Sequence, residues 1–251
     1  MISIVVPLYN YARYIEENIQ SIVRQTYPDW EIIIVDDHSK DDPLKVIKPY
    51  LSDKIKYICL EKNVGYGAAK NVGIRASNGE YIVVLDADDM LTDNSLAARI
   101  KAIRNSRHNW VHAKALEFTD RKPYRFRFKK RKSIRRLRHI LKHKDYGELW
   151  NSMHAQTVMI HRSIYEKVGL YEPSLRSMGD KEMWARIINN IGIPAYLDKF
   201  VALYRLHSGQ MHRSKEKKQR LKQYYKILGR LMAERRTGNF ESTEKCVFPS
   251  P

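Results

Sequence analysis

The sequence predicts an α/β fold with a mostly parallel, doubly wound central sheet and helices on both of its faces. Over about the first ninety residues, short apolar segments alternate with helical segments in the order β-α-β-α-β-α-β. This alternation is typical of a parallel sheet whose strands are joined by crossover helices. Two of the strands run directly into pairs of acidic residues. Because the carboxyl ends of strands in such a sheet face the ligand crevice, these acids predict a ligand site there.

Each predicted strand is a short run of β-branched and aromatic residues that is bounded by turn-forming residues. The strands comprise residues 2–6, 31–35, 55–60 and 81–85, and the best defined helices comprise residues 14–25 and 68–76. The third strand leads into a loop with Gly65 and Gly67, which looks like a dinucleotide phosphate loop. That fingerprint needs a third glycine three residues after Gly67, where this chain has Lys70, so the spacing argues against a dinucleotide site.

The acids after the fourth strand are the most informative residues of the chain. Asp86, Asp88 and Asp89 follow that strand in the segment GEYIVVLDADDM. Carboxylates at positions i and i+2 suit Mg²⁺ or Mn²⁺, whose coordination is usually completed by phosphate oxygens. The alternative is that Asp88 or Asp89 only caps the following helix. The second strand also ends in an acidic pair, Asp36 and Asp37, and this repetition favours a binding site.

The segments VPLYN, VDDHS and NVGYGAAKNVGIRASNGEYIVVLDADD, in this order, resemble the nucleotide-sugar domain of the family 2 inverting glycosyltransferases. The resemblance extends over residues 2–206. It implies a GT-A fold, a UDP-sugar as donor substrate and Mn²⁺ or Mg²⁺ as cofactor. The residues that it assigns to the donor site are Pro7, Tyr9 and Asn10 around the nucleoside, Asp36 and Asp37 at the uracil ring, Lys70 and Asn71 in the usual Arg-Asn place, Asp86 and Ala87 beside the ribose, and Asp88 at the metal.

An inverting transfer also needs a carboxylate base within reach of the acceptor hydroxyl, which is a poor nucleophile at neutral pH. In the resembling family the base usually lies in a Glu-Asp-x-Asp-x-x-x-Arg segment that opens a helix, and this chain has GDKEMWAR from Gly179. The resemblance assigns the base to Asp180. Because Gly179 replaces the usual Glu, and Glu182 the usual Asp, both Asp180 and Glu182 remain candidates. Helix capping is the structural alternative, and it is compatible with catalysis.

A second metal ligand is expected near the end of the domain. The segment YRLHSGQ resembles the closing Arg-x-His segment of the family, in which the His reaches the metal or the diphosphate, so His207 is a candidate ligand. Without the other motifs, a lone His would be interpreted as structural. A metal at these residues would stabilise the negative charge that develops on the leaving diphosphate.

Positive charge is concentrated in two segments. The formal net charge is +18; residues 121–144 hold 13 Lys or Arg and no acid, and residues 213–236 hold 10 against two acids. The first segment lies between the metal motif and the expected base, where the resembling family commonly forms acceptor-side structure. We therefore expect a polyanionic acceptor. The residues expected to contact it are Arg125, Arg127, Lys129, Lys130, Arg131 and Trp184.

The acceptor itself has several interpretations. Basic rows with interleaved aromatic residues can follow a nucleic-acid backbone, so one interpretation is DNA with hydroxymethylated bases, flipped out for reaction. Another is a surface glycan or lipid-linked acceptor at an anionic membrane, and a third is a merely solvated basic face. The apolar face at residues 134–141 has no Trp or Phe, which slightly favours DNA over membrane. An inactive transferase fold that only binds nucleic acid would not need Asp37, Asp88 and Asp180 together.

The sequence predicts one GT-A domain, residues 1–206, with a nucleotide-sugar half to about residue 110 and an acceptor half after it. A basic helical extension, residues 207–236, and a loose tail, residues 237–251, are expected to follow. No apolar stretch approaches the roughly 18 residues that span a bilayer. Because a predicted strand starts at residue 2, we expect no signal peptide. We therefore expect a cytoplasmic protein, either free or peripheral at the inner membrane face.

Overall fold

The structure is a computed structural model that describes residues 1–120, 125–127, 153–175 and 179–210. The strands are β1 (Ile2–Leu8), β2 (Trp30–Asp36), β3 (Ile55–Cys59), β4 (Tyr81–Val84), β5 (Met90–Leu91), β6 (Trp110–Thr119), β7 (Phe126–Arg127), β8 (Val158–His161) and β9 (Ala195–Leu206). The helices are α1 (Ala12–Val23), α2 (Pro43–Ile47), α3 (Tyr66–Ala76), α4 (Ser95–Arg104), α5 (Arg162–Val168) and α6 (Gly179–Asn190). Short 3₁₀ turns lie at Lys48–Tyr50 and Ala155–Thr157.

These strands form a single sheet in the order β3-β2-β1-β4-β8-β6-β9-β5, with β7 paired to β6. The first four strands in space, β3, β2, β1 and β4, are mutually parallel. The α/β fold expected from the alternating pattern is therefore confirmed, and the predicted strands and helices lie within two residues of their observed bounds. The second half differs from the first, because β8 is antiparallel to both of its neighbours while β9 is parallel to β6.

The parallel strands are buried on both faces, which explains why they are almost uniformly apolar in sequence. Alternate residues of β1, such as Ile4, pack with α1 in the largest core cluster. The opposite face carries α3, which packs on β1 and β2. A Cβ added at Gly73 of α3 would lie 2.4 Å from Cγ1 of Val5 and 3.1 Å from Cγ2 of Val35. Only glycine allows this close approach of helix and sheet.

A second core cluster lies where α6 packs with β6 and β8, and it also includes Val5 and Val84 of the parallel strands. Trp110 of β6 and Trp184 of α6 are buried there with their ring centroids 6.2 Å apart and nearly parallel. Met183 and Ile187 of the same helix belong to this cluster. Their burial fixes the position of the first turn of α6, which carries the expected base.

Three of the expected features lie wholly or mostly outside the described residues. They are the basic insertion at 121–144, of which only residues 125–127 are described, the helical extension beyond residue 210, and the tail at 237–251. In the part of the chain that the structure describes, no helix combines the length and the apolar character needed to cross a membrane.

Candidate active site

The acidic loop after β4 lies at the carboxyl edge of the parallel strands, as the sequence predicts. Its backbone is held by Asn18 of α1, whose Nδ2 donates to the carbonyls of Asp86 and Asp89, both at 2.9 Å. The loop closes on itself through the Asp89 N–H, which donates to the Asp86 carbonyl at 2.9 Å. A carboxylate oxygen of each of Asp86, Asp88 and Asp89 lies within 4.8 Å of the others. This fixed geometry distinguishes the cluster from a simple helix cap.

Asp86 interacts with hydrogen-bonding and charged groups from several parts of the chain. It accepts a short hydrogen bond from the Tyr66 hydroxyl, at the start of α3. Its pKa is raised to about 7, first by burial and then by the negative charges of Asp88 and Asp180. The hydrogen bond from Tyr66 and the charge of Lys70 partly oppose this increase. Asp86 therefore lies near both the acids of the loop and the expected base.

Asp88 is joined to His207, the expected second metal ligand. The two atoms in contact are Nε2 of His207 and Oδ2 of Asp88, at 2.9 Å. The imidazole is buried and packs against the rings of Tyr11 and Tyr14, with centroid distances of 5.6 Å and 5.0 Å. The structure thus brings together two residues that are 119 positions apart in sequence.

Asp89 has a different environment from Asp88, because hydrogen bonds occupy both of its oxygens. The backbone N–H of Arg205 donates to Oδ1 at 2.8 Å, and Nε2 of Gln156 donates to Oδ2 at 2.7 Å. Burial, followed by the charges of Asp88 and Asp86, raises the pKa of Asp89 well above its ordinary value. These contacts indicate that Asp89 anchors the loop.

Arg205 is a buried residue that connects the acidic loop to its surroundings. Its Nε donates to the Asp88 carbonyl at 2.7 Å, and its Nη2 donates to Glu17 at 2.6 Å. A longer contact of 3.4 Å joins Nη1 to Asp120. The guanidinium also lies 4.6 Å from the ring centroid of Tyr14. Arg205 therefore holds the peptide of Asp88 in place while its charge is balanced by acids outside the cluster.

The residues expected around the nucleoside lie in the loops after β1 and β2. Pro7 is buried, and Tyr9 and Asn10 are exposed. Oδ1 of Asn10 accepts from the Lys40 N–H at 2.8 Å, which ties the two loops together. Asn10 adopts a positive φ of 57°, as does His38 at 65°. Such backbone strain in non-glycine residues clusters at functional sites.

The two acids at the end of β2, Asp36 within the strand and Asp37 directly after it, are both buried and both hydrogen-bonded. Asp36 accepts from the Tyr57 hydroxyl at 2.5 Å. Asp37 accepts from the N–H groups of Val64 and Gly65, at 2.6 Å and 2.9 Å. Burial raises the pKa of Asp37 above its ordinary value, although these two hydrogen bonds act in the opposite direction. Asp37 thus fixes the loop that precedes α3, in addition to lying where the resemblance expects contact with the base of the nucleotide.

The pair expected beside the donor, Lys70 and Asn71, contacts Asp180 and Tyr171 in the later part of the described chain. Nζ of Lys70 donates to Oδ1 of Asp180 at 2.7 Å. Asn71 forms two hydrogen bonds with the backbone of Tyr171, at 2.8 Å and 2.9 Å. The start of α6 and the segment before it are therefore attached to α3, and Asn71 acts through the backbone of Tyr171.

The two candidates for the base have different environments in α6. The side chain of Asp180 is 24% exposed, and it bonds only through Oδ1 to Lys70 among the described residues. Glu182 is buried, and both of its oxygens accept from Arg186, at 3.0 Å and 2.6 Å. A carboxylate that is held in a buried, bidentate pair has little freedom to approach a substrate.

The expected acceptor contacts have mixed outcomes. Trp184 is 1% exposed and packs on Trp110, so it is a core residue, which differs from the acceptor-side position expected from the sequence. Arg125 is exposed, and Arg127 lies in β7, whose backbone pairs with β6. Lys129, Lys130 and Arg131 lie outside the described residues.

Sequence reasoning missed several residues that shape the site. Tyr66, Asn18, Arg205 and Gln156 all contact the acidic loop directly. Two of them carried a visible signal, because Tyr66 lies in the glycine-rich loop before α3 and Arg205 is the Arg of the Arg-x-His segment. Asn18 and Gln156 make contacts over 67 to 71 positions of sequence, which no local pattern indicates.

The donor set suits a hard divalent cation. Asp88 has one oxygen that no described residue contacts, and Asp86 lies beside it. Nδ1 of His207 is buried and has no hydrogen-bond partner among the described residues. Carboxylate oxygens with one imidazole fit Mg²⁺ or Mn²⁺, so these residues could hold the metal that the resemblance implies.

The fold and the acidic crevice define an α/β protein that binds its ligand at the carboxyl ends of parallel strands. Residues 3–169 match the family described as Glycosyl transferase family 2, which is more than half of the chain. The chain therefore belongs to glycosyl transferase family 2, and the resemblance and the enzyme class inferred from the sequence are confirmed.

Two relatives span most of the chain. It is 29% identical over 244 residues to an uncharacterized glycosyltransferase of Methanocaldococcus jannaschii, MJ1057, a match that covers 90% of this chain and 78% of the relative. It is 27% identical over 223 residues to TuaG of Bacillus subtilis, whose name assigns it to teichuronic acid biosynthesis, with 86% and 83% covered.

Two solved structures show that the fold is GT-A. One is residues 1–349 of Staphylococcus aureus TarS in complex with UDP-GlcNAc, with a TM-score of 0.68, 20% identity and 85% of this chain covered. The other is the mannosyltransferase PcManGT of Pyrobaculum calidifontis in complex with GDP-Man and Mn²⁺, with a TM-score of 0.65, 19% identity and 91% covered. The chain spans 60% and 64% of the lengths of these two structures.

Proposed function

We propose that this chain is a metal-dependent, inverting glycosyltransferase that moves a sugar from a UDP-sugar to a hydroxyl of a polyanionic acceptor. One observation carries the proposal: a chain of contacts joins Asp88 to Asp180. Asp86 has a carboxylate oxygen within 4.8 Å of one of Asp88, and it accepts from the Tyr66 hydroxyl. The Tyr66 ring also contacts Nζ of Lys70, which donates to Asp180. A metal-binding acid and an acid suited to be the base therefore face one crevice. An inverting displacement needs this arrangement, because the base and the leaving group act on opposite sides of one anomeric carbon.

On the donor side, Asp88 and His207 would hold Mn²⁺ or Mg²⁺, and Asp86 and Ala87 would lie beside the ribose. The bound metal would supply Lewis-acid stabilisation to the leaving diphosphate. The two tied loops with Pro7, Tyr9, Asn10, Asp36 and Asp37 receive the nucleoside. The complexes of TarS with UDP-GlcNAc and of PcManGT with GDP-Man and Mn²⁺ support a nucleotide-sugar donor, and the former supports uridine.

On the acceptor side, Asp180 is the base. Its second oxygen, Oδ2, has no partner among the described residues, whereas both oxygens of Glu182 bind Arg186. Asp180 thus has an oxygen available to accept the proton of the acceptor hydroxyl, and Glu182 stabilises the helix that presents it.

The base assignment is tested with Asp180→Asn. We expect this variant to bind UDP with Mn²⁺ as the parent does and to lose about 10²-fold to 10⁴-fold in transfer rate, the usual contribution of a general base. The matched comparison is Glu182→Gln, which should lose stability and retain turnover per folded molecule. If Asp180→Asn keeps the parental rate, the base is elsewhere.

The metal assignment is tested by titrating UDP in the presence and absence of Mn²⁺. Asp88→Ala should abolish the metal-dependent gain in UDP affinity, because it removes a direct ligand. Asp93→Ala, an exposed acid beyond the cluster, is the control and should retain the gain. An unaltered titration for Asp88→Ala would contradict the metal role.

Among polyanionic acceptors, we favour a cell-surface polymer over DNA with hydroxymethylated bases. The basis is the relative TuaG, which is named for teichuronic acid biosynthesis and of which this chain spans 83%. The net charge of +18 suits either acceptor. It also suits a lipid-linked glycan at an anionic membrane surface, where each Lys or Arg near the surface adds about 1 kcal/mol.

The acceptors are distinguished in one assay, transfer of radiolabelled sugar from a panel of UDP-sugars with Mn²⁺. The acceptors to compare are teichuronic acid fragments, unmodified DNA, DNA with 5-hydroxymethylcytosine and lipid-linked glycan in anionic vesicles. Label on the polymer alone supports the proposal. Label on hydroxymethylated DNA alone would replace it with a DNA-modifying activity.

A further inference from the structure

Lys70 occupies an aromatic cage at the boundary between the two halves of the site. Its side chain is fully buried, and Nζ lies 3.6 Å from the ring centroid of Tyr171 and 4.0 Å from that of Tyr66. The acid that it contacts is Asp180, at 2.7 Å. An ammonium group removed from water in this way is stabilised by the ring faces and by its one carboxylate partner.

This contact determines the orientation of the Asp180 carboxylate. Lys70 engages Oδ1, and Oδ2 has no partner in the parts of the chain that the structure describes. Because a lysine ammonium is a point-like donor, it can hold one oxygen and leave the other accessible. The Tyr66 hydroxyl, on one wall of the cage, donates to Asp86. Tyr66 and Lys70 therefore connect Asp86, which is expected at the donor, to Asp180, the proposed base.

The residue before Asp180 has no side chain that could compete for Lys70. It is Gly179, the first residue of α6. Space does not require the glycine, since an added Cβ would meet only Cβ of Leu175, at 4.0 Å. With no carboxylate at position 179, Asp180 is the one acid among the described residues that forms an ion pair with Lys70.

We propose that Lys70 is a positioning residue for the base and that glycine at position 179 keeps the Lys70 to Asp180 pair exclusive. The inference rests on the proposed role of Asp180. A glutamate at position 179 competes for the ammonium and turns Asp180 away from its active orientation. An arginine at position 70, with its five donors in a planar fork, serves two carboxylates at once and relieves that competition.

The test is a double-mutant cycle read by UDP release from a mixture of UDP-glucose, UDP-galactose, UDP-GlcNAc and UDP-glucuronic acid with Mn²⁺. Water is the acceptor in this assay, so the sugar is hydrolysed and the proton of the attacking water passes to the base. Gly179→Glu should lower kcat about tenfold or more through misplacement of the base, and its neutral control, Gly179→Gln, should stay within about threefold of the parent. Calorimetric titration of UDP with Mn²⁺ should be unchanged in both, because neither substitution touches the donor acids.

The second side of the cycle uses Lys70→Arg alone and together with Gly179→Glu. We expect Gly179→Glu to cost at least about threefold less in the Lys70→Arg background than in the parent, since contacting residues couple. If the losses of kcat in the two single variants simply add in the double variant, the inference is wrong. It is also wrong if kcat and UDP affinity fall together, because Lys70 would then only stabilise the fold. Asp180→Asn separates the two proposals. If this variant loses turnover while the costs in the cycle are additive, only the positioning role of Lys70 is wrong. If this variant keeps turnover, the assignment of Asp180 as the base is wrong.

Discussion

Single buried charges determine the geometry of this site. Arg205 lies next to the acids of the loop, yet it is not a ligand; it fixes a backbone carbonyl and takes its counter-charges from Glu17 and Asp120. Removing either the buried guanidinium or its acidic partners is destabilising, because the charge that remains is buried and uncompensated. The side chain is therefore a structural support on which the position of Asp88 depends.

We predict that Arg205→Met destabilises the protein by about 3–5 kcal/mol, the usual cost of removing one member of a buried ionic network. It should also weaken Mn²⁺-dependent UDP binding, because the Asp88 peptide loses its donor. Urea unfolding and UDP titration measure the two effects. Arg75→Met, at the partly buried end of α3, is the comparison variant. Loss of stability with intact UDP binding would contradict the positioning role.

Glu31 gives a prediction for the pH dependence of stability. It is buried at the start of β2, and although burial raises its pKa, hydrogen bonds from Asn78 and Ser3 and the charge of Lys56 lower the pKa below its ordinary value. A carboxylate with a lowered folded-state pKa stabilises the protein above its unfolded-state pKa of about 4.3, and this stability is lost as the pH falls through the folded-state pKa.

Glu31→Gln should therefore cost about 2 kcal/mol at pH 7, since hydrogen bonds to a charged acceptor are lost. The difference from the parent should shrink as the pH falls below about 4, where the parent protonates as well. Urea unfolding of both proteins between about pH 3 and pH 7 measures it. A difference that is constant over this range would show that the charge of Glu31 is not what stabilises the fold.

At the scale of elements, the closest packing lies between α3 and the sheet. We predict that Gly73→Ala destabilises the protein by about 1–3 kcal/mol through overpacking, because the new Cβ would lie 2.4 Å from Val5. Gly192→Ala is the comparison variant. Gly192 has a φ of +110° and no atom within 4 Å of an added Cβ, so this substitution tests backbone strain and not packing. Thermal unfolding compares the two. If Val5→Ala rescues Gly73→Ala, the cause is the contact with Val5.

The sequence predicted the parallel half well, because its strands are buried on both faces and appear as apolar runs that end in acids. It could not predict the order of the second half. Strands β5 and β7 have two residues each, and their pairing with β9 and β6 depends on distant segments. For the same reason Asp88 was proposed as a metal ligand from its motif, whereas the contact by which Arg205 of the Arg-x-His segment supports it was not predicted. Trp184 was expected at the acceptor because the sequence does not show whether a Trp near a catalytic motif packs in the core or faces a ligand.

For the whole molecule, ligand binding should stabilise the two halves together. Asp86 and Asp88 follow β4 of the parallel half, and Asp180 belongs to the mixed half, so a ligand that reaches all three acids would contact both halves. We expect UDP with Mn²⁺ at about 100 times its Kd to add about 2.7 kcal/mol to the free energy of unfolding. Asp88→Ala should lose this gain under the same concentrations. Thermal unfolding with UDP alone, with Mn²⁺ alone and with both measures the linkage, and a gain that needs no metal would contradict the proposed donor site.

The charge of the whole chain leads to a prediction about the acceptor. A net charge of +18 attracts a polyanion over distances that are comparable with the Debye length, about 8 Å at 0.15 M salt. The KM for a polyanionic acceptor should therefore rise steeply with salt. The KM for the UDP-sugar should change little, because a buried site with a metal would bind the UDP-sugar.

Replacing Arg125 and Arg127 with Gln should reduce the salt dependence of the acceptor KM and leave UDP affinity intact. The comparison pair is Lys45→Gln and Lys48→Gln, near α2. Equal effects of the two pairs would mean that the acceptor responds to total charge, and an acceptor KM without salt dependence would exclude a polyanion.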